Sequence, residues 1–258
     1  MGSNLLSLFV FLGALYLAFP LLIFFSQKME ARPQFLPIQP TEIPSAVLTF
    51  LLNSTDALEA RGFEPEAYLS LPNQMENVRV FLVLLVDRER GDKAAVTAIL
   101  ARQAFGEQVT SYVEFSTRFA SGKLVDTMNS PVIGSFERLP HETKTAFANL
   151  KDLALLHNLH RHIIADVAKI APEDAPVVYE RGRAVEYFGE VMVRGYDEQV
   201  EAGVLRLDEG ERVYRPTLAG AYKMTWRALF PLKWILTQAR DSRARQILAD
   251  YRVAADAK

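Results

Sequence analysis

The chain opens with a long run of apolar residues. Residues 5–25 read LLSLFVFLGALYLAFPLLIFF, and the first charged side chain is Lys28. At about 1.5 Å per residue, a helix of this length matches the roughly 30 Å hydrocarbon core of a bilayer. No basic side chain precedes the run and no small-residue cleavage site follows it, so the pattern favours a retained anchor over a cleaved signal peptide. We therefore predict a transmembrane helix within residues 1–27.

Basic residues flank this predicted span on one side only. Lys28 and Arg32 follow it, whereas the preceding residues carry no basic side chain. The positive-inside rule then places the N-terminus outside and the body of the protein in the cytoplasm. We expect a single-pass protein of the bacterial inner membrane.

A proline-rich segment over residues 28–44 follows the apolar run. Two interpretations stay open for it: an extended, semi-stiff linker, or an ordered arm that lies along the next domain. Its prolines are Pro33, Pro37, Pro40 and Pro44.

The period of the apolar positions then changes from helical to extended. Residues 45–61 repeat at three and four, which predicts a helix. Residues 78–87 are apolar on both faces, as in a central strand, and Gly122 suits the left-handed position of a tight hairpin loop. We predict an antiparallel meander of about five strands, over residues 67–71, 78–87, 94–102, 109–119 and 123–128.

Apolar residues again recur at three and four from Thr143 to Lys169, which predicts a long helix that Pro172 ends. Helix, meander and helix together predict an α+β domain over residues 45–172, with helices covering one face of the sheet.

A second unit is predicted over residues 173–258. It contains a helix over 180–201, a two-stranded hairpin, and a further helix with Thr217 as its N-cap. This order resembles the wing portion of winged-helix domains, a resemblance carried by Ala202-Gly203, Tyr214 and Thr217-Leu218-Ala219-Gly220. It implies DNA binding, but the helix before the hairpin carries more acidic than basic residues, which argues against a recognition helix.

Composition excludes several classes of protein. The chain has 29 Lys plus Arg, 31 Asp plus Glu, a net charge of −2, 50 % hydrophobic residues and no Cys. These values exclude a disordered chain, a disulfide-stapled mini-protein and thiol catalysis. A near-neutral total also argues against a surface devoted to nucleic acid.

The C-terminal region is nevertheless basic and contains both tryptophans. Residues 222–236 (YKMTWRALFPLKWIL) interleave aromatic rings with cations, which is typical of a membrane interface. An alternative is that Trp226 and Phe230 belong to a core and the charges to its wet face. The membrane-interface candidates are Lys223, Trp226, Arg227, Lys233 and Trp234.

No motif in the sequence identifies a reaction or a cofactor, and we expect neither a catalytic residue nor a metal. His157 and His160 share a helix face, which is the geometry of a metal pair. No Asp, Glu or Cys at a supporting position on the same helix accompanies them. We interpret them as polar positions on a half-exposed helix.

The sequence thus predicts a membrane-anchored protein with a cytoplasmic binding or scaffolding domain. Its expected partners are the lipid bilayer and another protein, and nucleic acid is not expected. Two alternatives stay open: a membrane-tethered DNA-binding regulator, and a small-ligand-binding protein or enzyme that uses the sheet face. A basic surface at the hairpin would favour the regulator, and a closed polar site with convergent acids would favour the small-ligand protein.

Overall fold

The computed structural model describes residues 2–75, 77–103, 106–148, 150–171 and 173–256. The described residues form six α-helices and two β-sheets, so the protein has a mixed α+β fold as predicted.

The chain divides into two compact units that are not contiguous in sequence. We call the first the hairpin unit; it comprises residues 1–32, 133–137 and 192–237. We call the second the sheet unit; it comprises residues 33–132, 138–191 and 238–258. The domain boundaries predicted at residues 45 and 173 stay a prediction.

The hairpin unit combines a three-stranded sheet with helices. It contains α1 (Gly2–Ser26), β1 (Met29–Glu30), β9 (Leu205–Asp208), β10 (Val213–Pro216) and α5 (Leu218–Ala228). The predicted hairpin is the antiparallel pair of β9 and β10, and β1 extends it as a third strand beside β10.

Thr217 caps α5 as predicted, since its hydroxyl oxygen accepts a hydrogen bond from the Gly220 backbone N–H at 2.9 Å. Gly220 itself is required by space, because a Cβ there would lie 1.9 Å from the carbonyl oxygen of Val204.

The apolar run near the N-terminus lies within helix α1. Side chains 2–9 and the side chain of Leu12 are outside the described part of the chain, and the predicted span over residues 5–25 falls partly on them. Among the described residues, no helix offers an apolar stretch long enough to cross a membrane.

The sheet unit is built on seven strands. They are β2 (Leu36–Pro37), β3 (Glu64–Met75), β4 (Val78–Asp87), β5 (Asp92–Gln103), β6 (Gly106–Arg118), β7 (Leu124–Met128) and β8 (Glu142–Ala146), adjacent in that order. The five strands from β3 to β7 are antiparallel neighbours, which confirms the predicted meander. Gly122 occupies the left-handed region with φ +89°, as the predicted hairpin loop requires.

Two helices cover one face of this sheet. They are α2 (Ser45–Glu59) and α3 (Leu153–Ile170), and we call the face beneath them the helix face. Its core includes the buried residues Leu51, Val83, Phe115, Leu156 and Leu159. The last part of α6 (Leu232–Asp256), where Ala244 is buried, adds to the same core.

The helix predicted over residues 143–169 is wrong at its start. Residues 142–146 form β8, which pairs with β7 in parallel. The helix begins only at Leu153, because the carboxylate of Asp152 accepts a hydrogen bond from the Leu155 backbone N–H and so fixes the N-terminus there.

The proline-rich segment is an ordered arm over the part that belongs to the sheet unit. Leu36–Pro37 pairs with β3, Pro40–Glu42 forms one turn of 3-10 helix, and Ile43 is buried in the core. Of the two open interpretations, the ordered arm describes residues 36–43.

Candidate functional site

The two histidines of α3 lie in a buried hydrogen-bonded network under the helix. His157 Nε2 is 3.4 Å from a carboxylate oxygen of Asp92, and Thr117 donates its hydroxyl hydrogen to the other oxygen. His160 Nε2 is 2.9 Å from the Thr117 hydroxyl. Both histidines are buried, on the side of the half-exposed helix α3 that faces the sheet. Their partners come from the strands, which spacing on the helix alone could not reveal.

The directions of these hydrogen bonds leave the histidines without a lone pair for a metal. Thr117 has given its hydrogen to Asp92, so His160 Nε2–H donates to Thr117 and Nδ1 accepts from Thr127 at 3.0 Å. His157 Nδ1 accepts from the Arg61 guanidinium at 3.2 Å. Among the described residues no group of three or more His, Cys, Asp or Glu could hold a metal ion.

Charge in this network is also balanced. The guanidinium of Arg161 donates to both oxygens of Asp92, at 3.0 and 3.1 Å. Burial opposes ionisation of Asp92, but the hydrogen bond from His157 and the Arg161 charge outweigh it and hold the pKa of Asp92 below its ordinary value. Burial lowers the pKa of His160 to about 3, so its ring is neutral. The network therefore joins α3 to the sheet, and its buried polar groups are hydrogen-bonded and its buried charge is paired.

The opposite face of the same sheet carries a row of polar residues. The strand register places Lys93 beside Ser116, Ser116 beside Asp126, and Asp126 beside Lys144. Because these four residues are direct neighbours across β5, β6, β7 and β8, they share one face. We call it the lysine face; Glu114 and Glu142 lie on it, one on each side of the row.

Lys93 is closed off from solvent at one end of this row. Its exposed fraction is 2 %, and its Nζ lies 4.3 Å from the ring centroid of Tyr187 and 5.4 Å from those of Tyr179 and Phe188. The hydroxyls of Tyr179 and Tyr187 are buried without a hydrogen-bond partner among the described residues. A buried cation and two buried unpaired hydroxyls are each unfavourable, and here they lie together.

Burial dominates the electrostatics of this face. It lowers the pKa of Lys93 from 10.5 to about 8, although Asp126 and Glu114 act in the opposite direction. It raises the pKa of Asp126 to about 6, and it also raises the pKa of Glu114. Lys144 differs because the charge of Glu114, at 3.6 Å, raises its pKa and its side chain is 42 % exposed.

The cover over Lys93 is a strap of residues 174–183 followed by the first turns of α4 (Ala184–Glu201). Arg88 fixes the strap through the Tyr179 carbonyl oxygen at 2.7 Å, and it also pairs with Glu64 and Glu66. A Cβ on Gly91 would lie 2.7 Å from the Val177 carbonyl oxygen, which shows how closely the strap approaches the β4–β5 turn.

The sequence did not single out Lys93, Asp126, Tyr179 or Tyr187. A signal for the first two existed, since the two hairpin loops fix the register that aligns Lys93, Ser116 and Asp126. No local pattern places the two tyrosines of the strap and α4 over that row.

The membrane-interface candidates occupy different environments within the hairpin unit. Lys223 pairs with Glu137 at 3.7 Å, and Arg227 donates to the Gly134 carbonyl oxygen at 3.2 Å. Trp226 is half-buried and packs edge-on against Tyr222, whereas Lys233 and Trp234 are exposed.

Arg215 of the hairpin is paired with acidic residues. Arg215 lies 3.3 Å from Asp208 and 2.7 Å from Glu211, and Glu211 also binds Lys28 at 2.8 Å. These acids neutralise the basic residues they contact, so the described contacts do not favour a phosphate-binding wing.

Comparisons with protein families, with curated protein sequences and with solved structures find no match for this chain.

Replacing Lys93 with Met is expected to change how stability depends on pH. The folded pKa of about 8 lies below the unfolded value of 10.5, so the unfolded chain binds more protons in this interval and wild-type stability rises with pH across it. This pKa difference corresponds to about 3 kcal/mol. Any stability advantage of Lys93→Met over wild type should therefore shrink by about that amount between pH 7 and pH 10.5.

Chemical denaturation of the full chain in detergent at several pH values measures this difference. Lys144→Met is the matched control on the same row, and it should destabilise because the pKa of Lys144 is raised by its acidic neighbours. Parallel stability profiles for wild type and Lys93→Met would contradict the unfavourable burial of this amine.

Proposed function

We propose that this chain is a membrane-anchored binding protein whose lysine face holds a small carboxylate ligand. The observation that carries the proposal is the burial of Lys93 beside the unpaired hydroxyls of Tyr179 and Tyr187. A core of apolar side chains would avoid both costs, and polar groups that reduce stability are typical of functional sites.

The chemistry of these groups indicates a ligand that accepts hydrogen bonds. Lys93 and the two phenols offer donors, and a nearby guanidinium, Arg118, lies 5.1 Å from the Tyr187 ring centroid. A carboxylate would give Lys93 the counter-charge that burial demands and would accept from the free hydroxyls. Asp126 and Glu114 favour the charged form of Lys93, but burial outweighs them and holds the pKa of Lys93 at about 8.

Convergent acids on the lysine face favour the small-ligand alternative over a plain scaffold. Glu114, Asp126 and Glu142 surround Lys144, while Lys93 lies deeper, under the strap. We propose binding and not catalysis, because Lys93 is closed in by three aromatic rings.

Binding is tested with the full chain in detergent and a panel of small carboxylates: lactate, succinate, citrate and benzoate. We expect at least one to bind, and Lys93→Met to weaken its binding about tenfold or more, which is about 1.4 kcal/mol. Lys144→Met should change affinity much less, since Lys144 is exposed and held by acids.

Ligand-observed NMR against the corresponding amides provides the control for charge. Equal binding of acids and amides, or equal binding to wild type and Lys93→Met, would contradict the proposed ligand class. If none of the carboxylates bound, the proposed function of this face would be wrong.

We further propose that α1 anchors the protein in a membrane, with the body on the cytoplasmic side. The sequence of α1 has no charged residue over its 25 positions. Several of its described apolar side chains are exposed, including Phe11, Leu22 and Phe25. An apolar surface of this kind requires lipid or another protein to cover it, and Lys28 and Arg32 set the orientation.

Sodium carbonate washing of membranes should leave the wild-type protein in the pellet. Phe11→Lys combined with Leu15→Lys should release it, because each charge near the middle of the span costs about 2.5 to 3.5 kcal/mol on insertion. Both positions are exposed on α1, so the double variant leaves the packing of the hairpin unit in place. Recovery of wild type in the supernatant would contradict the anchor.

A further inference from the structure

The connection between α5 and α6 forms an exposed apolar corner, residues 229–236. Phe230 is 74 % exposed, Trp234 59 % and Ile235 50 %. Lys233 is the one charged residue in this stretch of sequence. Large apolar side chains grouped at one tip are typical of a surface that meets lipid or another protein.

The corner contacts α1 well inside that helix. The hydroxyl of Tyr16 donates to the Phe230 carbonyl oxygen at 2.9 Å, and the hydroxyl of Tyr222 donates to the Leu17 carbonyl oxygen at 3.1 Å. α1 continues for ten residues beyond Tyr16, to Ser26. At about 1.5 Å per residue, the corner therefore lies level with a point about 15 Å from the C-terminal end of α1.

The position of the Tyr16–Phe230 contact along α1 limits which part of α1 can lie within a bilayer. The part of α1 on the other side of the contact, residues 2–15, is about 21 Å long. The hydrocarbon core measures about 30 Å, so about 9 Å of α1 beyond the contact must also lie within it. The corner contacts α1 at Tyr16. If α1 crosses a bilayer, the corner must therefore also lie within the hydrocarbon core.

Part of the backbone of the corner is already hydrogen-bonded internally. The Phe230 carbonyl oxygen accepts from Tyr16, and the Leu229, Lys233 and Ile235 N–H groups donate to carbonyl oxygens within residues 226–231. Pro231 has no N–H to satisfy. Lipid requires backbone polar groups to be paired internally, and Lys233 is long enough to extend its ammonium group to the headgroups.

We propose that the corner inserts into the leaflet that α1 enters and forms a second membrane contact. The inference rests on the proposed anchoring by α1. It distinguishes the two tryptophans by exposure and not by depth, because Tyr222 contacts α1 only one residue from Tyr16. Trp234 is 59 % exposed and would meet the acyl chains, whereas Trp226 is half-buried against Tyr222. Lys223 and Arg227 bind groups of their own unit and do not carry the contact.

The test uses the full chain in vesicles of phosphatidylcholine and phosphatidylglycerol, with bromine on the acyl chains near the headgroup, midway or near the chain end. Trp226→Phe leaves Trp234 as the reporter, and Trp234→Phe leaves Trp226. We expect bromine midway along the chains, about the depth of the Tyr16 contact, to reduce Trp234 emission to about half or less, and to reduce the emission of the half-buried Trp226 less. The difference in quenching between wild type and Trp234→Phe gives the same quantity without changing Trp226.

Flotation of the vesicles shows separately whether the protein is anchored. Anchored protein with unquenched Trp234 overturns the inference and leaves the anchor standing. The inference also fails if Trp234 is shielded by a second copy, which would appear as a concentration-dependent crosslinked dimer. Protein that does not float with the vesicles overturns both the anchor and the inserted corner.

Discussion

Side chains alternate between the two faces of a strand. At the start of β5, this alternation places the opposite charges of Asp92 and Lys93 on opposite faces of the sheet. Asp92 lies on the helix face and Lys93 on the lysine face, and both are buried. The sheet lies between them, so each face must provide its own compensation for a buried charge. The covers of the two faces, α3 on one side and the strap with α4 on the other, supply the groups that surround this pair.

The two faces compensate their charges to different degrees. Asp92 receives hydrogen bonds from a guanidinium, a hydroxyl and an imidazole, and its pKa is lowered. Lys93 lies against aromatic rings, and its pKa is lowered as well, which for an amine means that its charged form is disfavoured. A buried polar network whose hydrogen bonds and charges are all satisfied contributes to stability. Buried polar groups that lack partners can instead bind a ligand. This contrast is the basis for interpreting the histidines as structural and for proposing a ligand site at Lys93.

Local sequence patterns predicted the elements whose geometry depends on neighbouring residues. The meander, the hairpin of β9 and β10 and the cap at Thr217 are of this kind. The sequence pattern predicts helix over residues 143–146, whereas these residues form part of β8, because β8 is stabilised by pairing with β7. The burial of His160 could not be predicted from the helix alone, because the threonines that bind it belong to strands distant in sequence. The burial of Lys93 depends on a strap from beyond α3, and periodicity carries no information about where such a segment packs.

The protonation state of Lys93 distinguishes a ligand site from a fully compensated structural lysine. NMR titration of the full chain with ¹³C-labelled lysine, with the resonance assigned by its loss in Lys93→Arg, reports the pKa of this amine alone. We predict a midpoint near 8 for Lys93 and a midpoint above 10.5 for Lys144, which lies three strands away in the same row. A Lys93 midpoint at 10.5 or higher would mean that the amine is well compensated or exposed, and would contradict the assignment of the lysine face as a binding site.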